Sequence, residues 1–283
     1  MSITPETLEI PTTTLRDGTP FPLIGLGTSS LKGVECATAV SDALRLGYRL
    51  VDTASQYGNE AAVGEGLRVS GVDRAEVVLT TKVAGGDQGR EASREGVLTS
   101  LRRLGVEYVD VVLIHWPNPS RGLATDTWRT LLDLRDEGLV RHVGVSNFRP
   151  EQIDSLVKET GETPEINQIQ LSPALPRQTS VAYHRDHGIV TEAWGPLGGR
   201  EDLPQQFAIR RVAAKHGVDP ARIALRWAID QDIVVIPKSN DPARRRTNAD
   251  LAQITLDDED RALLASLDLG ESAAWDSREH EEW

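Results

Sequence analysis

Short β-branched runs alternate with helix-period segments along almost the whole chain, and eight of these runs read as strands. No linker, low-complexity tract or shift in composition divides the 283 residues. Together these observations predict an α/β fold, a (β/α)8 TIM barrel built as one domain over residues 1–283. Near-continuous apolar runs are what strands covered on both faces require. The competing doubly wound sheet carries Gly-x-Gly-x-x-Gly at its first strand–helix turn. Here Ile24-Gly25-Leu26-Gly27-Thr28-Ser29 lacks the third glycine.

The elements follow in order. Asp17-Gly18 between Thr12–Leu15 and Thr19–Pro22 predicts a β-hairpin within residues 10–22, ahead of the barrel. Barrel strands are expected at Leu23–Gly27, Arg49–Asp52, Val77–Thr81, Val109–Ile114, His142–Ser146, Ile166–Ile169, Val190–Ala193 and Ile233–Pro237. Apolar faces such as Val40/Ala43/Leu44 and Val97/Leu101/Leu104 run into Gly47 and Gly105, and similar faces precede Gly138 and Gly161. A glycine there suits the left-handed residue that ends a helix. Two helices, Gln205–His216 and Pro220–Asp230, fall between the last two strands, and a third (Asp257–Leu267) follows the eighth. Residues 268–283 form an acidic tail, polar apart from Trp275 and Trp283, expected to be a mobile segment or a lid near the mouth.

Composition narrows the function. With 31 Lys+Arg against 43 Asp+Glu the formal net charge is −12, which disfavours nucleic acid and anionic membranes as partners. The single cysteine, Cys36, allows no intrachain disulfide, and the N-terminus has neither a basic nor an apolar leader region. These features lead us to expect a cytoplasmic protein. The six histidines show no ligand spacing, so no metal is expected. No Gly-x-Ser-x-Gly elbow supports a serine hydrolase.

In a barrel the chemistry lies at the carboxyl ends of the strands. Read there in order stand Asp52, Lys82, His115, Ser146-Asn147, Gln168, Trp194 and Lys238-Ser239, with Tyr57 on the loop after Asp52. Singly, each has an ordinary reading: Asp52 as a turn cap, Lys82 as a solvated strand end, His115 as a bonded core residue, Tyr57 as turn packing. Their joint placement favours function. The chemistry it suggests is proton transfer by a tyrosine, since a lone phenol with a pKa of about 10 is a poor acid. A nearby ammonium lowers that pKa, a carboxylate keeps the ammonium charged, and a histidine can donate to a substrate oxygen.

At these residues the sequence resembles the aldo-keto reductase superfamily, from about Thr12 to Leu269. The likeness is carried by Asp52-Thr53-Ala54-Ser55-Gln56-Tyr57-Gly58-Asn59-Glu60, Thr81-Lys82-Val83, Leu113-Ile114-His115-Trp116-Pro117, Gly144-Val145-Ser146-Asn147-Phe148 and Ile236-Pro237-Lys238-Ser239. Trp194-Gly195-Pro196-Leu197-Gly198 is most similar to the short bacterial branch that includes 2,5-diketo-D-gluconate reductases. The resemblance implies NADPH-dependent reduction of small or sugar-derived aldehydes and ketones, α-dicarbonyls included. It implies Tyr57 as general acid, Lys82 as the partner that lowers its pKa, Asp52 as counter-ion and His115 as orienter of the carbonyl. Ser146, Asn147 and Gln168 would hold the nicotinamide carboxamide, and Trp194 would stack on its ring. Gly195, Leu197 and Gly198 would lie near the pyrophosphate. Lys238, Ser239 and Arg244 would grip the 2′-phosphate, with Asn248 towards the adenine, and a monomer is implied.

Three departures stand out. Gln170-Leu171-Ser172-Pro173 replaces the family's Glu-x-His-Pro, Thr247 replaces a glutamate, and Thr28-Ser29 replace a bulky aromatic, which predicts a wider or more polar pocket at Ser29. Trp116 and Trp275 are expected to line the substrate pocket. Arg245 and Arg246 read as a solvated helix face. Two competing functions are a cofactor-binding sensor or scaffold with little turnover, and a lyase or isomerase using Lys82 as a Schiff base. The complete Asp52/Tyr57/Lys82/His115 set disfavours the first, and Asp52 as charge partner disfavours the second.

Overall fold

The computed structural model describes residues 7–199 and 202–282. Positions 1–6 and Trp283, the extremes of the expected domain and tail, lie outside the described residues. The expected hairpin is present: β1 (Thr12–Thr14) pairs antiparallel with β2 (Pro20–Pro22), Thr13 opposite Phe21. The Asp17 carboxylate satisfies the turn by accepting from the Thr19 N–H at 2.9 Å and the Thr19 hydroxyl at 3.0 Å. Phe21 is buried and joins the main hydrophobic cluster, which seats the hairpin against the barrel.

Eight parallel strands follow in sequence order: β3 (Leu26–Gly27), β4 (Leu50–Asp52), β5 (Val78–Val83), β6 (Val109–Ile114), β7 (Val140–Ser146), β8 (Ile166–Gln170), β9 (Val190–Trp194) and β10 (Val234–Val235). The ring closes where the Gly25 N–H donates to the Val235 carbonyl at 2.8 Å and the Val235 N–H donates to the Leu23 carbonyl at 2.9 Å. Regular pairing at this seam is shorter than the sequence suggests. Pro237 has no N–H to donate. A Cβ on Gly27 would lie 2.6 Å from the Ile236 carbonyl oxygen, and one on Gly25 would lie 2.6 Å from Leu50 Cγ. The two glycines therefore let the first strand close against its neighbours, with no dinucleotide turn involved.

Helices α1 (Gly33–Leu46), α2 (Glu60–Ser70), α3 (Arg90–Leu104), α4 (Ala124–Asp136), α5 (Pro150–Thr160), α6 (Gln178–Asp186), α7 (Phe207–His216), α8 (Pro220–Ile229), α9 (Pro242–Ala249) and α10 (Asp258–Ala265) accompany the strands, with short helical turns in the loops. Their apolar stripes face the strands, with Trp128 of α4 and Ile223 of α8 fully buried. Each such side chain removed from water contributes roughly 1.5–3 kcal/mol. Helix α9, anticipated only as the helix face read at Arg245 and Arg246, is announced by Asp241-Pro242. The Asp241 carboxylate accepts from the Ala243 and Arg244 N–H groups at 2.8 and 3.1 Å, and proline occupies the first turn. No helix of the described residues is long and apolar enough to cross a membrane.

Candidate active site

The carboxyl ends of the strands surround a cavity of about 720 Å³. Asp52 ends β4, and Lys82 lies inside β5, which runs two residues beyond the expected end. The register pairs Asp52 with Thr80, so Lys82, two residues further on the same face of β5, brings its Nζ to 2.7 Å from both Asp52 carboxylate oxygens. It also donates to the Thr53 carbonyl at 2.9 Å. The same Nζ lies 3.5 Å from the Tyr57 hydroxyl.

Tyr57 is carried on a single helical turn, Ser55–Tyr57, ended by Gly58 at φ 61°. That loop is fixed from below by Asn59, a residue that sequence reasoning passed over. Its side-chain oxygen accepts from the Thr53 hydroxyl at 2.8 Å, and its nitrogen donates to the Thr28 and Leu31 carbonyls at 2.9 and 3.0 Å. The Tyr57 ring meets His115 edge-on, with centroids 5.8 Å apart. His115 follows β6 directly, and its Nδ1 has no hydrogen-bond partner among the described residues.

Burial sets the protonation states. His115 is pushed down to about 3 by burial and by the Lys82 charge, so the ring is neutral across the physiological range. Lys82 loses most to burial, but Asp52 and its other acidic neighbours outweigh that and hold the ammonium above its ordinary value. Tyr57 corrects an expectation. Burial raises its pKa more than Lys82 lowers it, so the phenol lies above its ordinary value rather than below. Lys82 pulls downward as expected but does not prevail.

Around this set lie the groups expected to hold a cofactor. Asn147, in the left-handed conformation at φ 65°, donates to the His115 carbonyl and to Ser146 Oγ, both at 3.0 Å. The Trp194 indole N–H donates to Asn147 Oδ1 at 2.8 Å. The Gln168 amide nitrogen donates to Asp52 Oδ2 and to Glu192 Oε1, both at 2.9 Å. Ser29, Trp116, Gly195, Leu197 and Lys238 line the same cavity, as do Gln56 and Glu282, which the sequence did not single out. Gly198 faces an adjoining hollow.

The other three expected cofactor residues lie off the cavity wall. Ser239 is buried, its hydroxyl engaged with the Asp241 backbone, Asn248 is buried, and Arg244 is exposed with its nearest carboxylate, on Asp241, at 3.8 Å. Arg245 overturns the solvated-face reading. It is 2% exposed and pairs with Asp42 at 2.8 Å, because α9 turns that position towards α1.

The tail crosses the mouth as a docked strap. Trp275 stacks on Trp116 with centroids 6.1 Å apart, and His280 lies 4.4 and 4.6 Å from the two rings. Each aromatic pair contributes about 0.5–1.5 kcal/mol beyond its burial. Polar anchors continue the strap: Ser120 donates its N–H to Glu281 at 2.7 Å, and Arg149 pairs with Asp276 at 3.2 Å.

At the opposite end of the barrel, ligating atoms of Asp17, His142 and Glu165 lie within 4.8 Å of one another. His142 Nδ1 is 2.9 Å from Glu165 and the Asp17 carboxylate is engaged by Thr19, which accounts for the cluster as an ion pair beside a turn.

A family model described as the aldo/keto reductase family matches residues 23–269. The 2,5-diketo-D-gluconic acid reductase B of Corynebacterium sp. is 43% identical over 96% of this chain and 99% of its own length. Methylglyoxal reductase DkgA of Escherichia coli is 40% identical over 90% of this chain and 93% of its own. Among solved structures, a mutant of Gox0644 in complex with NADPH superposes with a TM-score of 0.89 at 34% identity, covering 98% of this chain and 100% of that one.

Proposed function

The chain belongs to the aldo/keto reductase family, and from that premise we propose that it is an NADPH-dependent reductase of small or sugar-derived aldehydes and ketones, α-dicarbonyls included. The observation that carries this reading is the water-excluded Asp52–Lys82 pair set against the Tyr57 hydroxyl, beside a neutral His115. NADPH, when bound, supplies the hydride. Tyr57 would give its proton to the carbonyl oxygen as negative charge builds there. An alkoxide is a far stronger base than a phenolate, so even a phenol above its ordinary pKa gives up its proton to it. The phenolate left behind faces the Lys82 ammonium until solvent returns a proton. Neutral His115 can donate one N–H to the carbonyl oxygen, orienting it and stabilising the charge that develops there.

For the cofactor, Asn147, Ser146 and Gln168 are assigned to the carboxamide and Trp194 to the ring face. Gly195, Leu197 and Gly198 are assigned to the pyrophosphate end. Exposed Lys238 and Arg244 suit a 2′-phosphate, because a dianion between two cations gains charge-assisted hydrogen bonds. Ser239 and Asn248 act there through backbone position or adenine contact. Trp116 and Trp275 wall the substrate side. A monomer in the cytoplasm is the working form, in keeping with one buried cysteine whose thiol burial pushes up to about 11.

Tryptophan fluorescence titrated with NADPH and with NADH tests the reading, followed by turnover of methylglyoxal. Quenching by NADPH at far lower concentration than by NADH, with turnover, is the expected result. Failure to bind either cofactor sinks it, and binding without turnover moves the protein to the sensor class.

A further inference from the structure

Glu192 is a fully buried acid in β9, and the chemistry assigned above does not use it. Strands β8 and β9 place it in register with Gln168, so both side chains point to the same side of the sheet. The side chain of Glu192 makes one hydrogen bond among the described residues, from Gln168 Nε2 to Oε1 at 2.9 Å, while its Oε2 has no partner. An acid with one contact in a closed core is expensive to keep for packing alone, where a hydrophobic residue would serve better.

The amide of Gln168 explains what that contact can do. An amide has two N–H donors on nitrogen and a carbonyl acceptor on oxygen. Gln168 directs both donors into the barrel, one to Asp52 Oδ2 and one to Glu192 Oε1. The oxygen is therefore the end left for the cavity that Gln168 lines. Glu192 Oε1 is thus the second anchor of this orientation, beside Asp52 Oδ2, which accepts from Lys82 as well. Burial and the neighbouring Asp52 push the Glu192 carboxyl well above the usual carboxylate range, against the pull of Lys82 and Gln168. A protonated carboxyl still accepts through its carbonyl oxygen.

We propose that Glu192 is a positioning residue: by holding the Gln168 nitrogen inside, it presents the amide oxygen to the cavity as an acceptor for the carboxamide –NH2 of a nicotinamide cofactor. The role rests on the NADPH reading above.

The test compares Glu192→Gln, which keeps a carbonyl acceptor, with Glu192→Leu, which does not, in the full chain. Two readouts are taken: the side-chain amide NMR signals of Gln168 without cofactor, and the NADPH Kd by tryptophan quenching. Glu192→Gln should keep the Gln168 signals near those of the wild type and hold Kd within about twofold. Glu192→Leu should move those signals and weaken NADPH binding about fivefold or more, the cost of stranding a buried donor. A Glu192→Leu protein with unmoved signals or wild-type Kd overturns the proposal, as does a folded Glu192→Gln variant as impaired as Glu192→Leu. If Glu192→Leu does not fold, Gln168→Met must weaken NADPH to the same extent, and an unchanged Kd overturns the proposal. A wild type that binds no NADPH removes the reductase reading and this role together. A wild type that binds, with Glu192→Leu its equal, removes this role alone.

Discussion

Lys82 and Asp52 form an ion pair closed to solvent, the ammonium 2.7 Å from both carboxylate oxygens and its side chain fully buried. Neither charge has another full counter-charge within the pair's contacts, so removing one strands the other. Lys82→Met and Asp52→Asn should each lower unfolding free energy by about 3–5 kcal/mol and reduce carbonyl reduction by about a hundredfold or more. Urea unfolding and steady-state NADPH oxidation check both parts. A variant with a wild-type urea midpoint would show that the pair is not holding the fold at this point.

The rate of reduction should be insensitive to pH over most of the usable range. The acid form of Tyr57 is the one needed, and a raised pKa keeps the proton in place to higher pH than an ordinary phenol would. His115, pushed down to about 3, gives no inflection between pH 5 and 8. We expect kcat for reduction to be flat from pH 5 to about 9, given an ordinary phenol near 10. A decline centred near neutrality would point to a phenol lowered by Lys82.

Stability should fall in mild acid. His184 is locked neutral between Asn167 Nδ2 and Thr191 Oγ1, each at 2.9 Å, and burial drives it down to about 3. The unfolded chain takes up a proton below about 6.5, while the folded chain does not until about 3, so stability is lost as pH falls through that window. His184 alone should remove about 2 kcal/mol between pH 7 and 5. In His184→Gln, the difference in unfolding free energy between those two pH values should shrink by that amount. An undiminished slope would assign the acid sensitivity elsewhere.

Two adjacent arginines should behave oppositely. Arg244 is exposed, whereas Arg245 is buried against Asp42 and the Ser239 carbonyl. Arg244→Ala should leave thermal stability unchanged and narrow the preference for NADPH over NADH by about tenfold. Arg245→Ala should lower stability by about 2–4 kcal/mol. Differential scanning calorimetry and parallel cofactor titrations distinguish them, and a reversed pattern contradicts the placement of α9.

The contrast between Arg244 and Arg245 shows where the sequence stops being legible. Strand ends at Asp52, Lys82, His115 and Ser146 could be read from the alternation of apolar runs and helical stretches, because a barrel gathers those ends at one mouth. Which of three consecutive arginines faces α1 depends on the rotation of a short helix that only tertiary packing sets. Glu192 escaped notice because an acid next to Thr191 in a short strand resembles a solvent-facing position. The sign at Tyr57 escaped for a related reason: the spacing announced the Lys82 charge, but the depth of burial that outweighs it is a property of the assembled barrel. The seam strands came out shorter than expected because Gly25, Gly27 and Pro237 trade regular pairing for close approach.

In the proposed reaction Tyr57 gives the proton. Tyr57→Phe keeps the ring against His115 and removes only the hydroxyl, so tryptophan quenching by NADPH should be unchanged while methylglyoxal turnover falls by about a hundredfold or more. Equal turnover by the phenylalanine variant, at equal cofactor occupancy, would contradict the assignment and move the proton donor to another group at the mouth.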